Sequence, residues 1–172
     1  MTMQSTSFWD FSNQIYDRDG VAQLCLRLQD SYQLDVNLLL FCCWSAHFET
    51  EVSNEAWQRI LNFSKQWKAQ VVQPLREARH WMKTEINQHS RNSQFSVLRD
   101  RIKMDELAAE KYQQEFIEDC VPEFNAMNMV FREDRAKNYL SKLLEADGIE
   151  MQEDISAQLQ LLVKAIQDSS KE

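Results

Sequence analysis

The stretch "DVNLLLFCCW", residues 35 to 44, restricts most tightly what this chain can fold into. Leu38 to Trp44 is an unbroken apolar run in an otherwise polar chain, and Asp35, a residue suited to a helix N-cap, stands at its entrance. On a helix Leu38, Leu39, Leu40 and Phe41 point in four directions around the axis, which leaves no polar face for water. A helix that is apolar all round must be enclosed by other helices or by lipid. A membrane span takes about 18 or more apolar residues, and this run is far shorter. Residues 36–48 are therefore expected to form the buried central helix of a bundle.

The rest of the chain fits that architecture. Two glycines and two prolines in 172 residues are too few for a sheet, a barrel or a Gly-rich phosphate loop. The expectation is a single all-α domain over residues 1–172, an irregular bundle of six to seven helices. Ser7 caps a first helix that turns Phe8, Phe11, Ile15 and Tyr16 inward, with Gly20 as its stop. Val21, Leu24, Cys25 and Leu28 give a second. From Ser53 onward helical spacing persists for about eight turns, interrupted at Pro74, where a kink or break is expected. The polar connection "QHSRNSQ" leads to a long helix, about Phe95 to Cys120, that Pro122 ends or bends. Two shorter helices split by Gly148 follow, and the tail "QDSSKE" is expected to fray.

The N-terminus lacks a basic start followed by an apolar stretch, so a secretion signal is not expected. Four cysteines (Cys25, Cys42, Cys43 and Cys120) without a CxxC motif point to buried free thiols and a cytoplasmic location. The net charge of −8 is segregated. Residues 1–52 carry two basic and seven acidic side chains, residues 53–104 ten and four, and residues 105–172 seven and sixteen. Neutralisation across helix interfaces is the simpler account, and an exposed basic strip over 59–103 for an anionic partner is the other. An acidic chain without interleaved surface aromatics argues against nucleic acid as that partner.

Four stretches taken together, "FWDFSNQIYDRDGVAQLCLRLQD", "DVNLLLFCCW", "WKAQVVQPLREARHWMK" and "LRDRIKMDELAAEKYQQ", resemble a family of small helical proteobacterial proteins classed as a domain of unknown function. The resemblance covers about residues 7–118 and leaves 122–172 outside. Members usually carry two adjacent basic residues where this chain has Arg79 and His80, so the second position departs from the pattern. The resemblance implies a cytosolic helical domain and no particular activity.

Chemistry must then be sought in charges that occupy apolar positions. On the long helix Leu98, Ile102, Ala109, Phe116 and Ile117 define a stripe, with Glu106 and Gln113 inside it and Glu110 and Arg99 on its border. On the preceding helix Val71, Leu75, Ala78 and Met82 are expected to face inward, with Arg79 on the edge and Arg76 further round. A buried carboxylate needs a partner, so Glu106 is expected to meet Arg79 or Arg76, with Glu110 close by and Asp35 and Asn37 joining from the central helix. One outcome is an ion-pair network that only fixes helix register. The other is a polar pocket in which Glu106 and Glu110 act as acid and base or hold a metal, while Arg76, Arg79 and Lys83 clamp a small anion. Di-metal bundles use Glu-x-x-His pairs, which this chain lacks. Cys43 and His47, one turn apart, form a metal-compatible pair without a second pair to close the site. No cofactor signature is present. Trp9 and Trp81 fall near stripe edges, where contact with another protein becomes plausible. Without nucleophile, phosphate-loop or metal signatures, the leading expectation is a non-enzymatic interaction or adaptor protein, with the pocket as its alternative.

Overall fold

The computed structural model describes residues 7–89, 93–125 and 130–169. They form helices α1 (Phe8–Tyr16), α2 (Val21–Tyr32), α3 (Val36–Ser45), α4 (Asn54–Trp67), α5 (Gln73–His89), α6 (Ser93–Asp119), α7 (Glu133–Ala146) and α8 (Glu153–Ser169), with a short 3-10 turn at Pro122–Asn125. α4 and α5 are joined end to end by a π-helical turn, Lys68–Val72. Among the described residues there are thus seven helical rods and no strand, an all-α bundle. None of these helices is long and apolar enough to cross a membrane. Of the tail expected to fray, residues 167–172, Gln167 to Ser169 continue α8, and residues 170–172 lie outside the described residues, as does part of the polar connection before α6.

The caps form where side-chain chemistry requires them. Ser7 Oγ accepts from the Asp10 N–H at 3.1 Å, an Asp35 carboxylate oxygen from the Asn37 N–H at 2.9 Å, and Ser53 Oγ from the Ala56 N–H at 3.1 Å. α3 packs against α1, α2, α6 and α7, and every residue from Asn37 to Ser45 is buried. Its aromatic residues anchor the core: the Trp44 ring lies 5.2 Å from Phe8 and 4.8 Å from Phe48, and Phe48 stacks on Phe124 at 4.4 Å.

α3 ends at Ser45, three residues before the expected limit. The chain just beyond α3, Ala46 to Glu49, is held by partners in the C-terminal third of the protein. The Arg132 N–H donates to the Ala46 carbonyl at 3.0 Å and the Val130 N–H to that of His47 at 3.1 Å, while Arg135 donates to the carbonyls of Phe48 and Glu49. Leu140, Leu143, Ile155, Leu162 and Ile166 from α7 and α8 belong to the same hydrophobic cluster as α3. Residues beyond Pro122 therefore help to enclose the central helix.

Pro74 neither breaks nor ends its helix. The π turn just before it carries the chain through, and the Gln73 N–H reaches back five residues to the Lys68 carbonyl. Widening the turn makes room for the proline ring against the preceding turn. It also inserts one residue into the helical repeat. The inward face shifts only near the turn: Val72 is buried where Val71 was expected, Arg79 is half-buried and Ala78 exposed, while Met82 is buried as expected. The expected stripe of α6 also fades towards its start. Leu98 is 48% exposed because the first half of α6 packs mainly along α5 instead of the core.

Candidate functional site

One face of α5 and of the π turn before it presents Val72, Arg76 and Arg79 opposite Glu106 and Glu110 of α6. Glu106, 6% exposed, accepts from both arginines. Arg79 Nε donates at 2.5 Å and its Nη2 at 3.2 Å, while Arg76 Nε donates at 3.0 Å. Arg76 continues to Glu110 through Nη2 at 2.8 Å and to Gln29 of α2 through Nη1 at 3.0 Å. Every N–H-bearing nitrogen of Arg76 is thereby engaged. Lys83, considered for the same cluster, is exposed and lines, with Trp81, an outer groove that Arg76 and Arg79 also border.

A second layer rises from the start of α3. Asn37 Nδ2 donates to Gln113 Oε1 at 2.9 Å and its Oδ1 accepts from Gln114 Nε2 at 2.7 Å; Gln113 Nε2 donates to Asp35 at 2.8 Å. Asp35 thus caps α3 with one oxygen and holds α6 with the other. On the far side Trp67 Nε1 donates to the Ala109 carbonyl at 2.9 Å, fixing α4 against α6.

Between these layers lies a cavity of about 300 Å³. Its charged and amide walls come from α3, α5 and α6, and its fourth wall is α1, with Trp9, Ser12 and Tyr16. Leu26, Val36, Leu40, Val72 and Leu107 supply apolar surface. Two side chains of this lining have buried oxygens without a hydrogen-bond partner: Ser12 Oγ and Gln114 Oε1, in residues 4% and 3% exposed. Such atoms are costly in a folded protein and call for a specific reason.

The two carboxylates one turn apart are driven in opposite directions. Burial works to raise Glu106, but the hydrogen bonds from Arg79 and Arg76 overcome it and hold the carboxyl below its ordinary range. Glu110 is raised, by burial first and then by the nearby charges of Glu106 and Asp35, against the pull of Arg76. The Tyr16 phenol is raised as well, by burial and by the neighbouring Cys25 and Glu110.

Cys43 and His47 do not meet through the thiol. Nδ1 of His47 lies 3.0 Å from the Cys43 carbonyl oxygen and 3.2 Å from that of Trp44. The ring is 3% exposed and sits between Phe11 and Phe131. Burial lowers its pKa, which keeps it neutral with its Nδ1–H directed at the helix end. Among the described residues no group of three or more His, Cys, Asp or Glu side chains could hold a metal ion. Trp9 is half-buried, with the Lys111 ammonium 5.7 Å over its ring, whereas Trp81 is 60% exposed.

Residues 7–117 match the model of a family described as a protein of unknown function, DUF2390. The chain belongs to this family. No curated protein and no solved structure matches it. The family region runs from α1 to the end of α6 and so contains every residue of the cavity wall, whereas α7 and α8 lie outside it.

Sequence reasoning singled out Glu106, Glu110, Arg76, Arg79, Asp35 and Asn37, and all six line this cavity. It did not single out Ser12, Gln29 or Gln114. Ser12 was detectable as a hydroxyl one turn after Phe8 on an apolar face, and Gln114 as an amide one turn after Glu110. Gln29 gives no such signal, because only the contact between α2 and α5 assigns it a role.

Proposed function

We propose that this protein binds a small polar molecule in the cavity between α1, α3, α5 and α6. The observation that carries the proposal is a half-open cavity of about 300 Å³ walled by Arg79, Glu110, Ser12 and Gln114, the last two each with an oxygen that has no protein partner. A network serving only to fix helix register would satisfy its own polar atoms. Here Glu106, Arg76, Asn37 and Gln113 have partners, and Ser12 and Gln114, each with an unpartnered oxygen, stand in the cavity wall. The four free cysteines are all buried and agree with a cytosolic setting.

A thermal-melt screen against neutral polyols, amines, carboxylates and phosphates tests the proposal. A ligand at 100 times its dissociation constant stabilises by about 2.7 kcal/mol, or roughly 5–10 °C for a chain of this size. The control is Leu107→Trp, which fills the cavity mouth from a partly exposed position. The ligand shift is expected to vanish in this variant. A flat screen, or a shift that survives the plug, overturns the proposal.

A second reading, an interaction or adaptor protein, is favoured by one observation. Trp81 on α5 and Val97 and Met104 on α6 are 60%, 50% and 61% exposed. A stoichiometric protein partner released by Met104→Glu supports it, and retention of that partner by the variant refutes it.

A further inference from the structure

We infer that the cavity receives a small monocarboxylate, bound by spare donors of Arg76, Arg79 and Tyr16 and sharing a proton with Glu110. This rests on the proposed pocket and names its ligand class. The hydrogen bonds already made leave donors in excess. Asp35 and Glu106 have both carboxylate oxygens engaged. Glu110 accepts from Arg76 through Oε1, which leaves Oε2 as the one charged acceptor of the lining without a partner among the described residues. Against it, Arg79 keeps Nη1, and Arg76 keeps an N–H on each terminal nitrogen beyond its bonds to Gln29 and Glu110. The Tyr16 hydroxyl and Gln29 Nε2 have no acceptor among the described residues either. Gln29 is bonded to Arg76, and the Tyr16 phenol lies within the fields of both Arg76 and Glu110, so these groups converge around one guanidinium.

Charge then selects the protonation state. Arg76, Arg79 and Lys68 balance Asp35, Glu106 and Glu110 in the lining. A monoanion that enters leaves one negative charge uncompensated, and a proton drawn from solvent onto one lining carboxylate restores the balance. Glu106 could take it only by giving up an arginine, and Asp35 only by giving up the cap of α3 or the Gln113 amide. Glu110 loses nothing: Oε1 still accepts from Arg76, and a hydroxyl at Oε2 donates to the ligand carboxylate in a short charge-assisted bond. The groups around Glu110 are Arg76 and Arg79 of α5, Glu106 on its own helix, Asp35 before α3, Tyr16 of α1 and Lys68 of the π turn. Burial, with Glu106 and Asp35, already raises this carboxyl against the pull of Arg76. A fully ionised phosphate would need more than this one proton, and an ammonium would set a donor against the spare donors of Arg79 and Tyr16. Leu26, Leu40 and Leu107 supply the wall for an apolar body.

The test is calorimetric titration of the full chain with three probes of one shape, butyrate, 1-butanol and n-butylammonium, and with inorganic phosphate as a fourth. Butyrate is expected to bind at least tenfold more tightly than any of the others. Its affinity is expected to fall at least tenfold from about pH 6 to about pH 8, because binding takes up a proton while butyrate itself stays ionised. Glu110→Gln carries a permanent N–H in place of that proton. At about pH 8 it is expected to bind butyrate at least fivefold more tightly than the parent, and its affinity should no longer depend on pH. Tyr16→Phe removes a hydroxyl without a protein partner; it is expected to stay folded and to weaken butyrate severalfold. Tighter binding of butanol, butylammonium or phosphate overturns the carboxylate inference and leaves the pocket standing. So does a butyrate affinity that is independent of pH in the parent, or one that keeps its pH dependence in Glu110→Gln. No binding of any probe, or butyrate binding that survives Leu107→Trp, overturns the pocket and the inference together.

Discussion

Glu106 and Glu110 are the same residue type one turn apart on one helix, yet their replacement by glutamine should have opposite consequences. Glu106 has a side chain 8% exposed and accepts three charge-assisted bonds from two arginines whose side chains are 22% and 27% exposed. Glutamine keeps the shape and one acceptor, but its amide nitrogen then faces guanidinium donors. With the amide oxygen at the Oε1 position two bonds are kept, the shortest one, from Arg79 Nε, is lost to an N–H facing an N–H, and both arginines keep their charge. Each bond to a charged group contributes about 1.5–3 kcal/mol, and the arginines recover part of that through their contact with solvent. Glu106→Gln should therefore cost about 3 kcal/mol, or roughly 6–12 °C in melting temperature. Glu110 accepts one bond from Arg76, which a glutamine oxygen can also accept, and its ionised form is disfavoured by burial. Glu110→Gln should change stability at neutral pH by less than about 1 kcal/mol. Urea denaturation of the two variants beside the parent, with unchanged dependence on denaturant, measures both values. Equal losses in the two variants, or a loss below about 1 kcal/mol for Glu106→Gln, would refute this division of roles.

Other consequences are open to the same measurements. Ser12→Ala removes a buried hydroxyl that has no protein partner, so the unliganded protein should gain up to about 1 kcal/mol; a loss of that size would show the hydroxyl to be satisfied. Tyr139→Phe removes the acceptor of the buried Val52 N–H, a 3.0 Å bond, and should cost about 1–3 kcal/mol. Urea midpoints unaffected by that change would contradict the bond. Acid should act through three groups of different sign. His47 is lowered from 6.5 by burial, so the unfolded chain takes up its proton first and stability falls as the pH drops below that value. Glu106 is lowered from 4.5; its contribution is complete above that value and is lost as the pH falls towards the folded pKa. Glu110 is raised, so the folded protein holds its proton more tightly and stability gains as the pH falls towards 4.5. Glu110→Gln should thus steepen the loss of stability between about pH 6.5 and 4.5; an unchanged slope would argue against a raised Glu110.

Much of the bundle is legible in local chemistry. The run from Leu38 to Trp44 has no polar side and dictates its own burial, and Ser7, Asp35 and Ser53 cap helices wherever the bundle puts them. Glu106 at a stripe position demands a cation, because a lone buried carboxylate is too costly to keep. These are properties of short segments, and short segments are what a sequence displays. Periodicity alone could not foresee the π turn before Pro74. How a helix accommodates a proline depends on what packs around it, and around this turn Val72 is buried in place of Val71, with Arg79 half-buried and Ala78 exposed. Periodicity could not foresee the end of α3 at Ser45 either, since the carbonyls of Ala46 to Glu49 just beyond it are satisfied by Val130, Arg132 and Arg135, some 85 residues onward. Nor could it foresee the cavity. An orphaned oxygen is a statement about every neighbour an atom lacks, and only the assembled packing of α1, α3 and α6 shows that Ser12 and Gln114 have no protein partner.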